Sequence, residues 1–166
     1  MQARQTTTAT TASRGAAFWF ATWFGCGLAP KAPGTMGSLG ALLVAWPLAF
    51  AAGVQPVWFL ALALVILWPA IRSATAVAEG TGLKDPQIVV IDEVVGQWIT
   101  LAGATRLTPL SFLLAFLLFR GFDIWKPPPI RRIEQLKGGT GIVLDDALAG
   151  VYGGLILYLL GRLNFY

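Results

Sequence analysis

Apolar residues along this chain fall into blocks with polar punctuation between them. Block 16–24 is short and aromatic. Blocks 39–52 and 57–71 flank Gly53-Val54-Gln55-Pro56, a turn signal. Blocks 94–104 and 110–119 flank Thr105-Arg106-Leu107-Thr108-Pro109, where Thr108 suits an N-cap and Pro109 the first helical position. Block 147–160 comes last. Residues 1–15 are rich in Thr, Ala and Gln without periodicity, so they predict a disordered tail before a single domain over 16–166. No small-residue cleavage site follows a clean apolar core, which argues against a secretory signal.

Each block is shorter than the ~20 apolar residues of a straight spanning helix. Tilt, snorkelling Arg or Lys and extension into flanking residues make up the difference. Composition supports a membrane setting: 56% of residues are hydrophobic, mean hydropathy is +0.68, and 12% are charged. That is about half the charged share of a soluble domain. The prediction is an all-α, polytopic helical membrane protein whose short helices pair as hairpins over 39–71 and 94–119. Block 16–24 is short enough to lie in the interface.

Net charge is +4, yet no basic stripe with interleaved aromatics suggests nucleic acid. Lys31, Arg72, Lys84, Arg120, Lys126, Arg131, Arg132 and Lys137 can all lie on one side of a membrane. The hairpin tips then point the other way, carrying Arg106. The excess of basic residues marks the first side as cytoplasmic. The single cysteine, Cys26, rules out an internal disulfide and a Cys-rich metal site. Without histidine there is no His base, phosphohistidine or Ser-His-Asp triad.

Six of the eight carboxylates crowd into three clusters: Asp85 with Asp92-Glu93, Asp123, and Asp145-Asp146. All three fall on the predicted cytoplasmic side. Asp92 and Glu93 can favour a helix start, but two adjacent acids between Ile and Val runs exceed what a cap needs. Arg120, Asp123 and Lys126 share a helix face at i, i+3 and i+6, with Pro127 ending the helix. An acid there opposes the helix dipole. Asp145 is a candidate N-cap after Gly138-Gly139-Thr140-Gly141, and Gly150-x-x-x-Gly154 suits close helix packing that draws the acids together. Upstream, the Gly- and Pro-rich segment 24–38 contains Lys31, Thr35 and Ser38. It reads equally as an ordinary turn or as an anion cradle leading into a helix N-terminus.

Clustered oxygen donors favour hard-cation chemistry with Mg²⁺ or Mn²⁺, acting on an anionic substrate held by the basic residues. A metal-ion transporter is the non-enzymatic alternative, although these acids lie at span ends and not within spans. Another lipid-headgroup phosphatase or phosphotransferase is the enzymatic one. The aspartate spacing of the CDP-alcohol phosphotransferases is absent.

Four segments together resemble the phosphatidylglycerophosphatase A family: Gly25-x-Gly27 with Ala32-Pro-Gly-Thr-x-Gly-Ser38, Asp85-Pro86 with Ile91-Asp-Glu-x-x-Gly96, Phe119-Arg-x-Phe-Asp-x-x-Lys-Pro-x-Pro-Ile130, and Gly139 with Asp145-Asp-x-x-Ala-Gly150. The resemblance implies a Mg²⁺-dependent, multi-pass enzyme of the bacterial inner membrane. Its site would face the cytoplasm and hydrolyse the terminal phosphate of phosphatidylglycerophosphate. Position by position, it carries function to Lys31, Thr35, Ser38, Asp85, Asp92, Glu93, Arg120, Asp123, Lys126, Asp145 and Asp146. On chemical grounds Asp92, Glu93, Asp123 and Asp146 are the expected metal ligands, and Asp145 is a further ligand or the base. Lys31, Thr35, Ser38, Arg120 and Lys126 are expected to hold phosphate.

Overall fold

A computed structural model of the protein describes residues 15–166. The tail predicted over 1–15 lies outside the described residues except for Gly15. Seven helices follow: α1 (Ala16–Ala21), α2 (Pro33–Phe50), α3 (Pro56–Thr81), α4 (Ile91–Ala102), α5 (Pro109–Trp125), α6 (Ile130–Ile133) and α7 (Gly139–Arg162), with a 3-10 turn at Cys26–Leu28. No strand occurs among the described residues, so the all-α expectation holds.

The long helices outrun their apolar blocks, because polar flanks join the helix where a cavity or the bundle interior receives them. Helices α2, α3 and α7 are long and apolar enough to cross a membrane. At 1.5 Å per residue they measure about 27, 39 and 36 Å, against a hydrocarbon core of about 30 Å. Helix α4, with 12 residues, reaches only about 18 Å. It is buried along nearly its whole length, its polar residues Asp92, Glu93, Gln97 and Thr100 included, and packs against α2, α3, α5 and α7. Helix α4 is therefore the centre of the bundle, shielded from lipid by its neighbours. Outside it, Leu43, Val65, Trp68 and Leu155 are exposed apolar side chains on the three crossing helices.

Two local devices fix the frame of the site. Thr108 and Ser111 form a reciprocal capping box, with Pro109 at the first helical position of α5, as the sequence predicts. At the other end Lys126 adopts a left-handed conformation and Pro127 follows, so α5 stops there. Between α4 and α7, backbone touches backbone. A Cβ on Gly150 would run into the Gly96 carbonyl, and Thr100 Oγ1 lies 3.1 Å from the Gly150 carbonyl across the seam. The close packing expected of Gly150 and Gly154 is present.

The starts of α2, α4 and α7 and the ends of α3 and α5 gather at one end of the bundle. At the opposite end Arg106 Nε donates to the carbonyl of Tyr166 at 2.9 Å, and Arg162 closes α7. The far end thus holds two basic residues, one more than the sequence pattern assigns to it.

Candidate functional site

The gathered helix ends enclose a cavity of about 470 Å³. Seven of the eight carboxylates of the chain line it: Asp85, Asp92, Glu93, Asp123, Glu134, Asp145 and Asp146. Against them stand three cations, Lys84, Arg120 and Lys126. The three acid clusters therefore meet in space, as their shared side predicts, and the cavity wall carries an excess of negative charge.

The acids divide by their partners. Glu93, in the first turn of α4, is gripped by the Arg120 guanidinium of α5 and lies 3.0 Å from Ser38 Oγ of α2. Arg120 also meets Asp123 at 2.9 Å, one turn along its own helix. This contact supplies the cation that Asp123 needs at a helix C-terminus. At the end of α5, Lys126 Nζ donates to Asp145 at 2.7 Å and to Glu134 at 3.0 Å. Burial disfavours charge on Lys126, but its bonds to Asp145 and Glu134 outweigh that and raise its pKa above the usual lysine range. The ammonium persists at any physiological pH.

Asp92 and Asp146 form no ion pair among the described residues, although Arg120 lies within electrostatic reach of Asp146. Asp92 Oδ1 accepts only the neighbouring Glu93 N–H, at 3.0 Å. The Asp146 carboxylate makes no hydrogen bond or ion pair among the described residues, although the residue is 4% exposed. Glu93, Asp123, Asp92 and Asp145 all lie within electrostatic reach of it. Both the Asp92 and Asp146 carboxylates open on the cavity among acids that repel them, so this arrangement calls for a positive ligand. The donors are all oxygen, which suits a hard divalent cation. No three acids among the described residues already converge as a finished cage. The fit lies in donor chemistry and unbalanced charge, with Asp92 and Asp146 as its centre.

Two expected helix starts are corrected. Helix α7 starts at Gly139, so Asp145 and Asp146 sit well inside it and neither is an N-cap. Helix α2 starts at Pro33, so Ser38 lies in its second turn. Ser38 is buried and faces Glu93 and the Gly34 carbonyl, 3.0 Å away from each, instead of opening onto the cavity. Of the segment 24–38, only Ala32, Pro33, Gly34 and Thr35 reach the cavity wall. Gly27 instead presses its backbone on the Ile88 carbonyl, holding the loop that leads into α4. Lys31 is exposed and does not line the cavity.

Gly34 has a different duty. A Cβ there would overlap the Glu93 carboxylate and come within 3.3 Å of Arg120 Nη1. Pro33 has no amide proton, and the Met36 amide already donates to Ala32. The Gly34 and Thr35 amides are thus left at the helix N-terminus beside the cavity, a setting that favours anions. Glu134 was missed by the sequence reading. It is a lone acid amid Arg131, Arg132 and Lys137, and nothing in its spacing ties it to the other carboxylates.

Comparison with known proteins agrees with the four matched segments. The family described as phosphatidylglycerophosphatase A matches residues 19–161. Phosphatidylglycerophosphatase A of Escherichia coli (strain K12) is 38% identical over 142 residues, covering 84% of this chain and 80% of its own. That of Haemophilus influenzae is 39% identical over 136 residues, covering 81% and 82%. A Bacteroides thetaiotaomicron protein named "Putative phosphatidylinositol-3-phosphatase" is 39% identical over 140 residues, covering 82% and 87%. No solved structure matches.

Proposed function

The chain belongs to the phosphatidylglycerophosphatase A family and is a phosphatase, and from that premise we propose that it hydrolyses the terminal monoester of phosphatidylglycerophosphate to phosphatidylglycerol and inorganic phosphate. The observation that carries the chemistry is the pairing pattern in the cavity. Four carboxylates are held by Arg120 and Lys126, while buried Asp92 and Asp146 await a cation.

Asp92 and Asp146, joined by Glu93 and Asp123, would hold Mg²⁺. A bound divalent ion supplies polarisation of the phosphoryl oxygens and neutralises the charge of the substrate. The chain itself performs the remaining tasks. Arg120 and the Gly34 and Thr35 amides bind phosphoryl oxygens, and Ser38 orients Glu93. Asp145, fixed by Lys126, takes the proton of the attacking water. Water oxygen bonds to phosphorus, the bond from phosphorus to the glycerol oxygen breaks, and that oxygen leaves with a proton as the free hydroxyl of phosphatidylglycerol.

The cavity end is read as cytoplasmic. Lys31, Lys84, Arg131, Arg132 and Lys137 cluster near it in the chain, against Arg106 and Arg162 at the far end. A bacterial inner-membrane location follows from that orientation and from the family. The transporter alternative falls with family membership. A second reading keeps the reaction and changes the headgroup: the name of the Bacteroides thetaiotaomicron relative suggests phosphatidylinositol 3-phosphate. Purified protein in mixed micelles, given each lipid with Mg²⁺ and assayed by lipid mass spectrometry, decides between them. Formation of phosphatidylglycerol supports the proposal. Turnover of the inositide alone overturns it.

A further inference from the structure

Two of the three cations that line the cavity, Arg120 and Lys126, differ in depth. Arg120 has a side chain 16% exposed and binds Glu93, which is itself buried in the first turn of α4. Its Nη1 also lies beside Gly34 at the α2 N-terminus. Lys126 is 22% exposed, and one of its two partners, Glu134, is 41% exposed. Exposed Lys84 and Leu136 line the cavity as well. Arg120 marks the floor and Lys126 the mouth. They are six residues apart on α5, roughly 9 Å along the helix axis.

The position of Lys126 is built with unusual care. Its left-handed backbone ends α5, Pro127 follows, and fully buried Ile130 anchors the returning segment against Phe119 and Ala149. Gly141 lets α7 lie directly on the backbone of that segment, since a Cβ there would strike the Leu136 carbonyl and crowd that of Glu134 at 3.1 Å. The glycines after Leu136 therefore act as a seat for the stretch that delivers Glu134 to Lys126.

We propose that the cavity contains two phosphate subsites in series: a deep one at Arg120 for the monoester that is cleaved, and one at the mouth, at Lys126, for the phosphodiester that joins headgroup to lipid. This assignment rests on the phosphatidylglycerophosphate reading. That substrate carries both groups, separated by a three-carbon glycerol. A headgroup entering the cavity leads with its terminal phosphate and leaves the lipid-linked diester at the entrance. Lys126, steered by Glu134 and Asp145, then selects substrates that carry a second phosphate.

The two reaction products report the subsites separately, because phosphatidylglycerol retains only the diester and inorganic phosphate only the cleaved group. In Lys126→Met, KM for phosphatidylglycerophosphate and Ki for phosphatidylglycerol should rise together by about 10-fold or more, the loss expected for one charge-assisted hydrogen bond. Ki for inorganic phosphate should stay within about twofold. Lys126→Arg keeps the charge and should restore phosphatidylglycerol inhibition. If Lys126→Met folds without turning over, shifts in its melting temperature with inorganic phosphate and with phosphatidylglycerol micelles should show the same split. If it does not fold, Lys126→Gln takes its place, with the same rise in Ki for phosphatidylglycerol and none for inorganic phosphate. An equal effect on both products, or none on phosphatidylglycerol, overturns the assignment. Wild-type protein that releases no phosphate overturns the underlying substrate reading instead.

Discussion

Ser38 on α2 and Glu93 on α4 lie 3.0 Å apart, hydroxyl to carboxylate, although 55 residues separate them in the chain. The contact ties the first crossing helix to the central one at the floor of the cavity. Ser38 and the Arg120 guanidinium meet the same carboxylate oxygen, Oε2 of Glu93. Ser38→Ala should cost about 1 kcal/mol of stability, because Arg120 still pairs the acid. Turnover should fall roughly 3- to 30-fold as Glu93 loses its fixed orientation, in line with loss of one hydrogen bond. Thermal unfolding and kcat on the same preparation check both. Unchanged kcat would remove Ser38 from the site.

Gly34→Ala tests the same acid from another direction. The added methyl overlaps the Glu93 carboxylate, the movable end of a side chain. Folding should therefore survive while the acid is pushed away from Arg120 and Ser38. The expected result is a melting temperature within a few degrees of wild type, on the scale of about 1 kcal/mol, with strongly reduced activity. Full activity would mean that the acid tolerates displacement.

How much of this was visible beforehand differs from residue to residue. The turn at 53–56, the Thr108–Pro109 start of α5 and its stop before Pro127 were legible, since caps and prolines act locally. The starts of α2 and α7 were misplaced inward. Small residues such as Gly34, Gly139 and Gly141 look like loop, yet here they are helical, with the Glu93 side chain crowding Gly34 and neighbouring backbone crowding Gly139 and Gly141. The earlier starts put Asp145, a cap candidate, and Ser38, placed at the head of its helix, in helix interiors. Asp85, Asp92, Asp123 and Asp146 were legible as a constellation because acids are so scarce in this chain. Their division into paired and unpaired groups was not, since it depends on which wall Arg120 and Lys126 reach.

Asp146→Asn separates charge from structure. The carboxylate has no partner among the described residues, so neutralising it breaks no bond and removes repulsion from neighbouring acids. Stability in the absence of metal should be unchanged or higher, while activity is abolished. Asp123→Asn, which weakens the pair with Arg120, should also abolish activity but lower the melting temperature. Differential scanning fluorimetry with chelator distinguishes the two. A large destabilisation of Asp146→Asn would mean that its charge is already satisfied.

Gly150→Leu should fail to fold. Its side chain would have to occupy the space of the Gly96 carbonyl, forcing α7 off α4. The overlap is with backbone and not with a mobile side chain, so relaxation requires separation of the two helices. Loss of the monodisperse species in detergent is the expected outcome. A folded, active variant would contradict the packing.

The central claim is that the acid-lined cavity hydrolyses phosphatidylglycerophosphate with a divalent cation held at Asp92 and Asp146. Its most direct test is inorganic phosphate release by the purified protein, first with Mg²⁺, then with EDTA, then with Mg²⁺ restored in excess. Release that stops with chelator and returns with metal is predicted. No release in the presence of Mg²⁺, or release indifferent to EDTA, would contradict it.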